Sequence, residues 1–295
     1  MEVGVIDSER TPSQEPPGWV PYHVRVGDLD LRVAHRGQGR PPLLLVTGIG
    51  AHLGMWGPLE SLLRGREIIA FDAPGAGGST RPRRPLRMAG LARIVRDLLD
   101  TLGHDEVDVL GVSFGGALAQ QLAHDYPDRV RRLILCATSA GFVAVPPRPL
   151  PALLLMTPAR YYHPALFRWM LPRIVGGRTA REREVLDAQC GPRLSRPPDP
   201  IGYAFQLYAT TGWTSAHWLH ELRQPTLVIA GEDDRAIPLA NGRFLARRIP
   251  NSRLHIVKGG GHVFVLDEPE NIVDEIHAFL NGDAEEVAAS ARECA

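Results

Sequence analysis

One stretch constrains this chain more than any other. A strand-like run, Val107–Val112, passes without a break into Gly111-Val112-Ser113-Phe114-Gly115-Gly116, and small residues at helical spacing continue it over Phe114–His124. A Gly-x-Ser-x-Gly pattern between a strand and a helix specifies a very tight turn. In such a turn the residues two places either side of the serine have no room for a Cβ. The serine itself is lifted off the strand end in a strained conformation. The next helix then aims its N-terminal N–H groups and its dipole at that hydroxyl, where developing negative charge would be stabilised. The plain alternative is a glycine-rich strand–helix turn with an incidental serine.

The flanking sequence repeats this strand–helix unit. Tyr22–Ala34 alternates around Gly27-Asp28 and predicts a β-hairpin. Leu43–Val46, Glu67–Phe71, Val130–Cys136, Thr226–Ala230 and Leu254–Val257 predict strands. Runs with no polar alternation fit strands covered on both faces. Met88–Leu102, Leu239–Arg248 and Pro269–Leu280 predict helices, the first from Leu91, Ile94, Val95, Leu98, Leu99 and Leu102 at helical spacing. The expected class is α/β: a mostly parallel sheet with helices on both faces. The rhythm stops for about 80 residues, opening on Val145-Pro146-Pro147-Arg148-Pro149 and rich in aromatics. The expected organisation is a lead-in at 1–18, a core at 19–141 and 222–282, an inserted helical cap at 142–221 above the strand carboxyl ends, and a tail at 283–295.

Composition excludes several partners. Of the 295 residues, 33 are basic and 33 acidic, so no basic footprint for nucleic acid exists. No apolar run approaches the roughly 18 residues of a membrane span. The acid- and proline-marked start lacks the pattern of a secretory signal, which predicts a cytoplasmic protein. Three scattered cysteines suggest neither a disulfide framework nor a zinc site. No metal and no cofactor are expected.

A serine hydroxyl needs a base to become a nucleophile, and the base needs an orienting acid. Of 11 histidines, only His262 sits just past the last strand, in Lys258-Gly259-Gly260-Gly261-His262. Its glycines permit close approach to other backbone. His255 falls inside a strand, His217 and His220 in the cap, and His52, His104, His124 and His277 read as surface or helix residues. Carboxylates follow the strand at 226–230 as Glu232, Asp233 and Asp234. One competing reading takes Gly48-Ile49-Gly50-Ala51-His52-Leu53-Gly54 as a dinucleotide fingerprint with Asp72 on a ribose. It requires a helix containing Gly54, Gly57 and Pro58, which is unfavourable. The loop Asp72–Ser79 reads as a structural strand-end loop rather than a phosphate cradle.

Over roughly residues 20–280 the chain resembles the α/β-hydrolase superfamily. That family orders its residues serine, acid, histidine, with Gly-x-x-Asp and a proline four residues later; Gly231-Glu232-Asp233-Asp234 and Pro238 match, which selects Asp234. The resemblance implies an oxyanion hole from the amides of Phe114 and Ile49. Many relatives carry His-Gly where this chain has Thr47-Gly48. It closely resembles the intracellular medium-chain-length poly(3-hydroxyalkanoate) depolymerases through Phe71–Ser79, Gly111–Gln121, His124–Pro127, the cap segment Gly212–His220, and Gln224–Val228. Two places depart: Phe114 stands where such enzymes tend to have Trp, and Gly259–Gly261 where acidic residues precede the histidine. The implied activity is hydrolysis of carboxylic esters through an acyl-enzyme. Ser113, Asp234 and His262 would be catalytic, and Gly48, Trp213 and Trp218 would contact substrate. The implied partner is a hydrophobic ester or polyester, with a storage-granule surface. The aromatic cap fits that partner, and it equally fits a lid with a small core of its own. A general carboxylesterase would share every catalytic residue, and a non-catalytic ligand receptor would share the fold. Dehalogenases and epoxide hydrolases need an aspartate nucleophile where this chain has Ser113.

Overall fold

The computed structural model describes residues 19–39 and 41–282. The lead-in at 1–18 and the tail at 283–295 lie outside the described residues. Eight strands form one sheet: β1 (Tyr22–Val26), β2 (Leu29–Arg36), β3 (Leu43–Val46), β4 (Ile68–Phe71), β5 (Val107–Val112), β6 (Val130–Cys136), β7 (Thr226–Gly231) and β8 (Ser252–Val257). Their spatial order is β1-β2-β4-β3-β5-β6-β7-β8. The hairpin β1–β2 joins β4 antiparallel, and every later pairing is parallel. The helices, in chain order, are α1 (Gly57–Glu60), α2 (Met88–Leu102), α3 (Phe114–Asp125), α4 (Pro149–Leu155), α5 (Pro164–Val175), α6 (Gly177–Arg181), α7 (Arg183–Leu194), α8 (Pro200–Thr210), α9 (Leu239–Arg248), α10 (Phe264–Asp267) and α11 (Glu270–Asn281).

The central strands β3, β4, β5 and β7 are buried along their whole length, as the unbroken apolar runs of β3 and β4 require, and the one acid of β5, Asp108, is paired with Arg66 and Arg131. Two apolar layers sandwich the sheet. One packs Leu91, Val95 and Leu98 of α2, Leu118 and Leu122 of α3 and Leu245 of α9 against it. The other packs Leu59 of α1 and Ile272, Ile276 and Phe279 of α11. Edge strand β8 starts two residues before the apolar stretch Leu254–Val257. Ser252 pairs with Thr226, and its hydroxyl donates to the carbonyls of Ala246 and Ile249. A polar residue is admitted there because only one side of β8 is paired, so apolar content alone under-reads the strand.

Adjacent parallel strands β6 and β7 are joined through α4–α8. That segment has a separate apolar cluster, with Leu154, Phe167, Met170, Ile174 and Leu186, closed on the sheet side by Ala236 and Val263. It lies over the strand carboxyl ends: the Val175 carbonyl accepts from the amide of His262 at 2.7 Å, and Gln206 Oε1 accepts from the amide of Gly50 at 2.8 Å. His52 is not a surface residue. It is 3% exposed and its Nε2 meets the Pro192 carbonyl at 2.8 Å. That carbonyl belongs to the last turn of α7, where no intrahelical donor reaches it.

Candidate active site

Ser113 sits between β5 and α3 with φ +56° and ψ −116°, one of two non-glycine residues with positive φ among the described residues. The glycines around it are required by space. A Cβ on Gly111 would fall 2.3 Å from the Gly115 carbonyl oxygen, and one on Gly115 would fall 2.1 Å from that of Val46. The serine is tied on both sides: its amide donates to Cys136 O at 2.9 Å, and the Thr138 hydroxyl donates to its carbonyl at 2.7 Å. With its backbone over-determined, the strained conformation persists. Cys136, fully buried beneath the turn, is no rival nucleophile, because burial pushes its thiol pKa up.

The structure brings Ser113, His262 and Asp234 together although 149 residues separate the first two. His262 Nε2 lies 3.0 Å from Ser113 Oγ, and His262 Nδ1 lies 2.9 Å from Asp234 Oδ2. A carboxylate only accepts, so Nδ1 carries the ring proton and Nε2 is left to accept from the serine. The second oxygen, Asp234 Oδ1, accepts from the amides of Ala236 and Ile237 at 2.9 and 2.7 Å. His262 and Asp234 are 8% and 7% exposed, so water competes little for these bonds. The glycines before His262 have the use their sequence suggests: a Cβ on Gly261 would fall 2.6 Å from the Val175 carbonyl oxygen.

The competing carboxylates are used elsewhere. Asp233 Oδ2 accepts from the amide of Gly177 at 2.9 Å, at the first residue of α6, and Glu232 Oε2 accepts from that of Gly259. The dinucleotide reading also fails, because Asp72 is fully buried. Its Oδ1 accepts from Leu53 N at 2.6 Å and its Oδ2 from Gly78 N at 2.7 Å, with Arg32 beside it. Those bonds make Asp72–Ser79 a structural loop.

Gly48 packs against Ser113; a Cβ there would meet Ser113 Cβ at 3.6 Å. Ile49 follows in the same loop, and Phe114 is the first residue of α3, where an N–H has no intrahelical acceptor. The loop lacks a bracing histidine and is held from the α4–α8 segment instead. The Tyr161 hydroxyl donates to Ile49 O at 2.9 Å, next to the Gly50–Gln206 bond. Arg160, 3% exposed, fixes that tyrosine: its guanidinium lies over the Tyr161 ring and bonds the hydroxyls of Tyr161 and Tyr203. Sequence reasoning missed Tyr161, Arg160 and Gln206. The only signal was the aromatic content of the cap, which names no partner.

Two lobes of open space meet at Ser113. One runs beneath α5 and α7 between Gly48, Met55, Trp56, Leu171, Ile174 and Arg193. The other passes Phe114, Leu207, Trp213 and Ile237 toward Phe142. Ile49, Ser113, Leu155 and His262 border both. Trp213 thus lines a lobe, with its indole N–H donating to Gln121 Oε1 at 2.7 Å. Trp218 does not. It is 6% exposed, joins the core against α3, and stacks on His124 with ring centroids 4.2 Å apart. Among the described residues, the one His/Cys/Asp/Glu group close enough to share a metal ion is His35, Glu67 and His104. It lies at the amino ends of β4 and β5, away from Ser113.

A family described as alpha/beta hydrolase fold matches residues 41–179 and 191–269. The chain is 47% identical over 267 residues to a poly(3-hydroxyalkanoate) depolymerase of Ectopseudomonas oleovorans, covering 88% of this chain and 93% of that protein. It is 33% identical over 258 residues to a pimeloyl-[acyl-carrier protein] methyl ester esterase of Aromatoleum aromaticum, covering 82% and 99%. Among solved structures, the enol-lactonase from Burkholderia xenovorans LB400 superposes with a TM-score of 0.75 at 26% identity, covering 88% of this chain and 99% of that one.

Proposed function

The chain belongs to the α/β-hydrolase fold family, and from that premise we propose that it is a serine ester hydrolase acting on poly(3-hydroxyalkanoate). The observation that carries the chemistry is the unbroken line Asp234 Oδ2–His262 Nδ1 at 2.9 Å and His262 Nε2–Ser113 Oγ at 3.0 Å. The 47% identical depolymerase supports the substrate.

In this reading His262 Nε2 takes the Ser113 proton as Oγ attacks the ester carbonyl. Asp234 holds the ring and stabilises the imidazolium. The Ile49 and Phe114 amides receive the oxyanion, each worth on the order of 3 kcal/mol of barrier. The tetrahedral intermediate expels the alkoxide, which takes the proton from His262. Water then enters, gives its proton to His262 and attacks the acyl-enzyme. Collapse breaks the acyl–Oγ bond, returns the proton to Ser113 and frees the acid. The chain from 142 to 221 acts as a cap whose buried cluster gives it a shape of its own. It exposes Phe142 at 78%, Leu153 at 67% and Met156 at 64%. Exposed apolar side chains near a substrate lobe suit contact with a polyester granule.

The test is turnover of a medium-chain polyester emulsion beside soluble p-nitrophenyl esters, with Ser113→Ala as control. The wild type should clear the emulsion, and the variant should lose on the order of 10⁶-fold in kcat. Turnover of soluble esters with an emulsion that never clears would make the protein a general carboxylesterase. Failure of a fluorophosphonate to label the wild type would remove the serine-hydrolase reading altogether.

A further inference from the structure

Two arginines border the same lobe as Ser113, and they differ in what they touch. Arg160 uses its donors within the cap, on the Thr157 carbonyl and the hydroxyls of Tyr161 and Tyr203. Arg193, near the end of α7, is 6% exposed, yet its Nε and Nη2 atoms have no hydrogen-bond partner among the described residues. No carboxylate there lies within ion-pairing distance of it. Tyr161, whose hydroxyl is within hydrogen-bonding reach of its guanidinium, and Asp267 favour its charge, and Arg160 opposes it. Burial outweighs them and pushes its pKa down. A buried guanidinium left incompletely bonded is costly. The rest of this lobe is largely apolar: Met55, Trp56, Leu171 and Ile174 surround it. An apolar pocket with one convergent charge is the arrangement of a ligand site. A planar fork of N–H donors matches a carboxylate.

We propose that Arg193 receives the free carboxylate of the substrate, so that hydrolysis proceeds stepwise from the carboxyl end of the chain. The inference rests on the ester-hydrolase reading above and deepens it. A linear polyester of hydroxy acids has one free carboxylate, on its terminal unit, and that unit also carries the oxygen of the last ester bond. With the carboxylate on Arg193, the terminal unit and its apolar side chain fill the lobe that Arg193 borders, and the last ester lies at Ser113. The remaining chain leaves along the other lobe, toward Phe142. Ser113 Oγ bonds the acyl carbon while the ester C–O bond breaks, and His262 protonates the departing oxygen. The product leaving Arg193 is one 3-hydroxy acid. Water then frees the shortened chain, whose new carboxylate can bind in turn.

The experiment uses hexamers of 3-hydroxyoctanoate in two forms, the free acid and its methyl ester, with the full-length protein. A charge-assisted contact predicts kcat/KM about 10- to 100-fold higher for the free acid. Monomer should accumulate from the first turnovers. In Arg193→Ala the free-acid to methyl-ester ratio should fall to near one, and Arg193→Lys should restore part of it. That ratio is internal to each variant, so a general loss of stability does not move it. Equal kcat/KM for the two forms in the wild type, which needs no variant, would overturn the proposal, and so would internal cleavage to mixed oligomers. In both cases fluorophosphonate labelling of Ser113 would persist, so the hydrolase reading would stand. Absence of labelling and of all ester turnover would overturn both.

Discussion

Replacing Asp234 by Asn tests whether the imidazole is oriented as the hydrogen bonds imply. The substitution conserves shape and changes one donor pattern. Asp234 Oδ1 accepts from two amides, Ala236 and Ile237, while Oδ2 faces His262 Nδ1. An asparagine keeps both backbone bonds only with its carbonyl oxygen in the Oδ1 place. Its NH₂ group then faces Nδ1. Two donors cannot share that 2.9 Å contact, so the ring proton must move to Nε2. Nε2 then donates to Ser113 Oγ and can no longer take its proton. The opposite amide orientation sets NH₂ against two N–H groups in a site 7% exposed, which leaves buried donors unpaired.

The tautomer inversion should therefore win, at a cost of about 10⁴-fold in kcat, or about 5.5 kcal/mol of barrier. Stability should change little, because the number of bonds is conserved. The assay is kcat for p-nitrophenyl octanoate together with a urea melt. Activity of the variant should rise steeply with pH, as hydroxide takes over the work of the lost base. A folded Asp234→Asn protein within tenfold of wild-type kcat would refute the assigned roles of both Asp234 and His262.

Three further outcomes follow from particular contacts. Gly115→Ala forces a Cβ to within 2.1 Å of the Val46 carbonyl oxygen, a backbone atom that cannot rotate away; a loss of about 3 kcal/mol or more by urea melt is expected, with loss of ester turnover. Trp218→Ala should lower stability by about 3–5 kcal/mol while preserving the order of preference among butanoyl to dodecanoyl nitrophenyl esters, and Trp213→Ala should alter that order. Burial raises the Asp267 carboxyl to about 6 from 3.8, against the Thr179 hydroxyl and the Arg193 charge, with Glu268 adding to the rise. The native state therefore holds a proton that the unfolded chain releases, and stability falls as pH rises from about 4 to 6, by up to about 3 kcal/mol. Asp267→Asn should remove that slope, so its stability relative to wild type should be about 2 kcal/mol more favourable at pH 7.5 than at pH 4.5 by urea melts.

The core was legible because its signals are local. Met88–Leu102 announces α2 to the residue, since six apolar positions at helical spacing have one way to face the sheet. Gly111 and Gly115 are legible for a stronger reason: the turn around Ser113 has no other solution in L-residues. Asp234 could be separated from Asp233 only by resemblance. Both stand in the same loop, and nothing in the letters says that one meets His262 while the other holds the first residue of α6. The cap was less legible still. Trp213 and Trp218 are alike in type and five residues apart, yet one lines a lobe at the serine and the other stacks on His124 in the core. Residue type states that an aromatic wants burial, not against what.

The segment α4–α8 is not a detachable cover, because three of its hydrogen bonds to the core fall on the loops of His262 and Ile49. Val175 O holds the amide of His262, Gln206 holds that of Gly50, and Tyr161 holds the carbonyl of Ile49. These bonds fix His262 and the proposed oxyanion loop from above, while β8 and β3 fix them from below. A cap displaced as a unit would release all three together. A substitution that breaks only one, such as Tyr161→Phe, should act on kcat rather than on KM, because it loosens a transition-state contact and leaves the apolar lobes intact. The expected loss is about tenfold in kcat, read on p-nitrophenyl octanoate. An increase in KM at constant kcat would instead make Tyr161 a wall of the substrate lobe and nothing more.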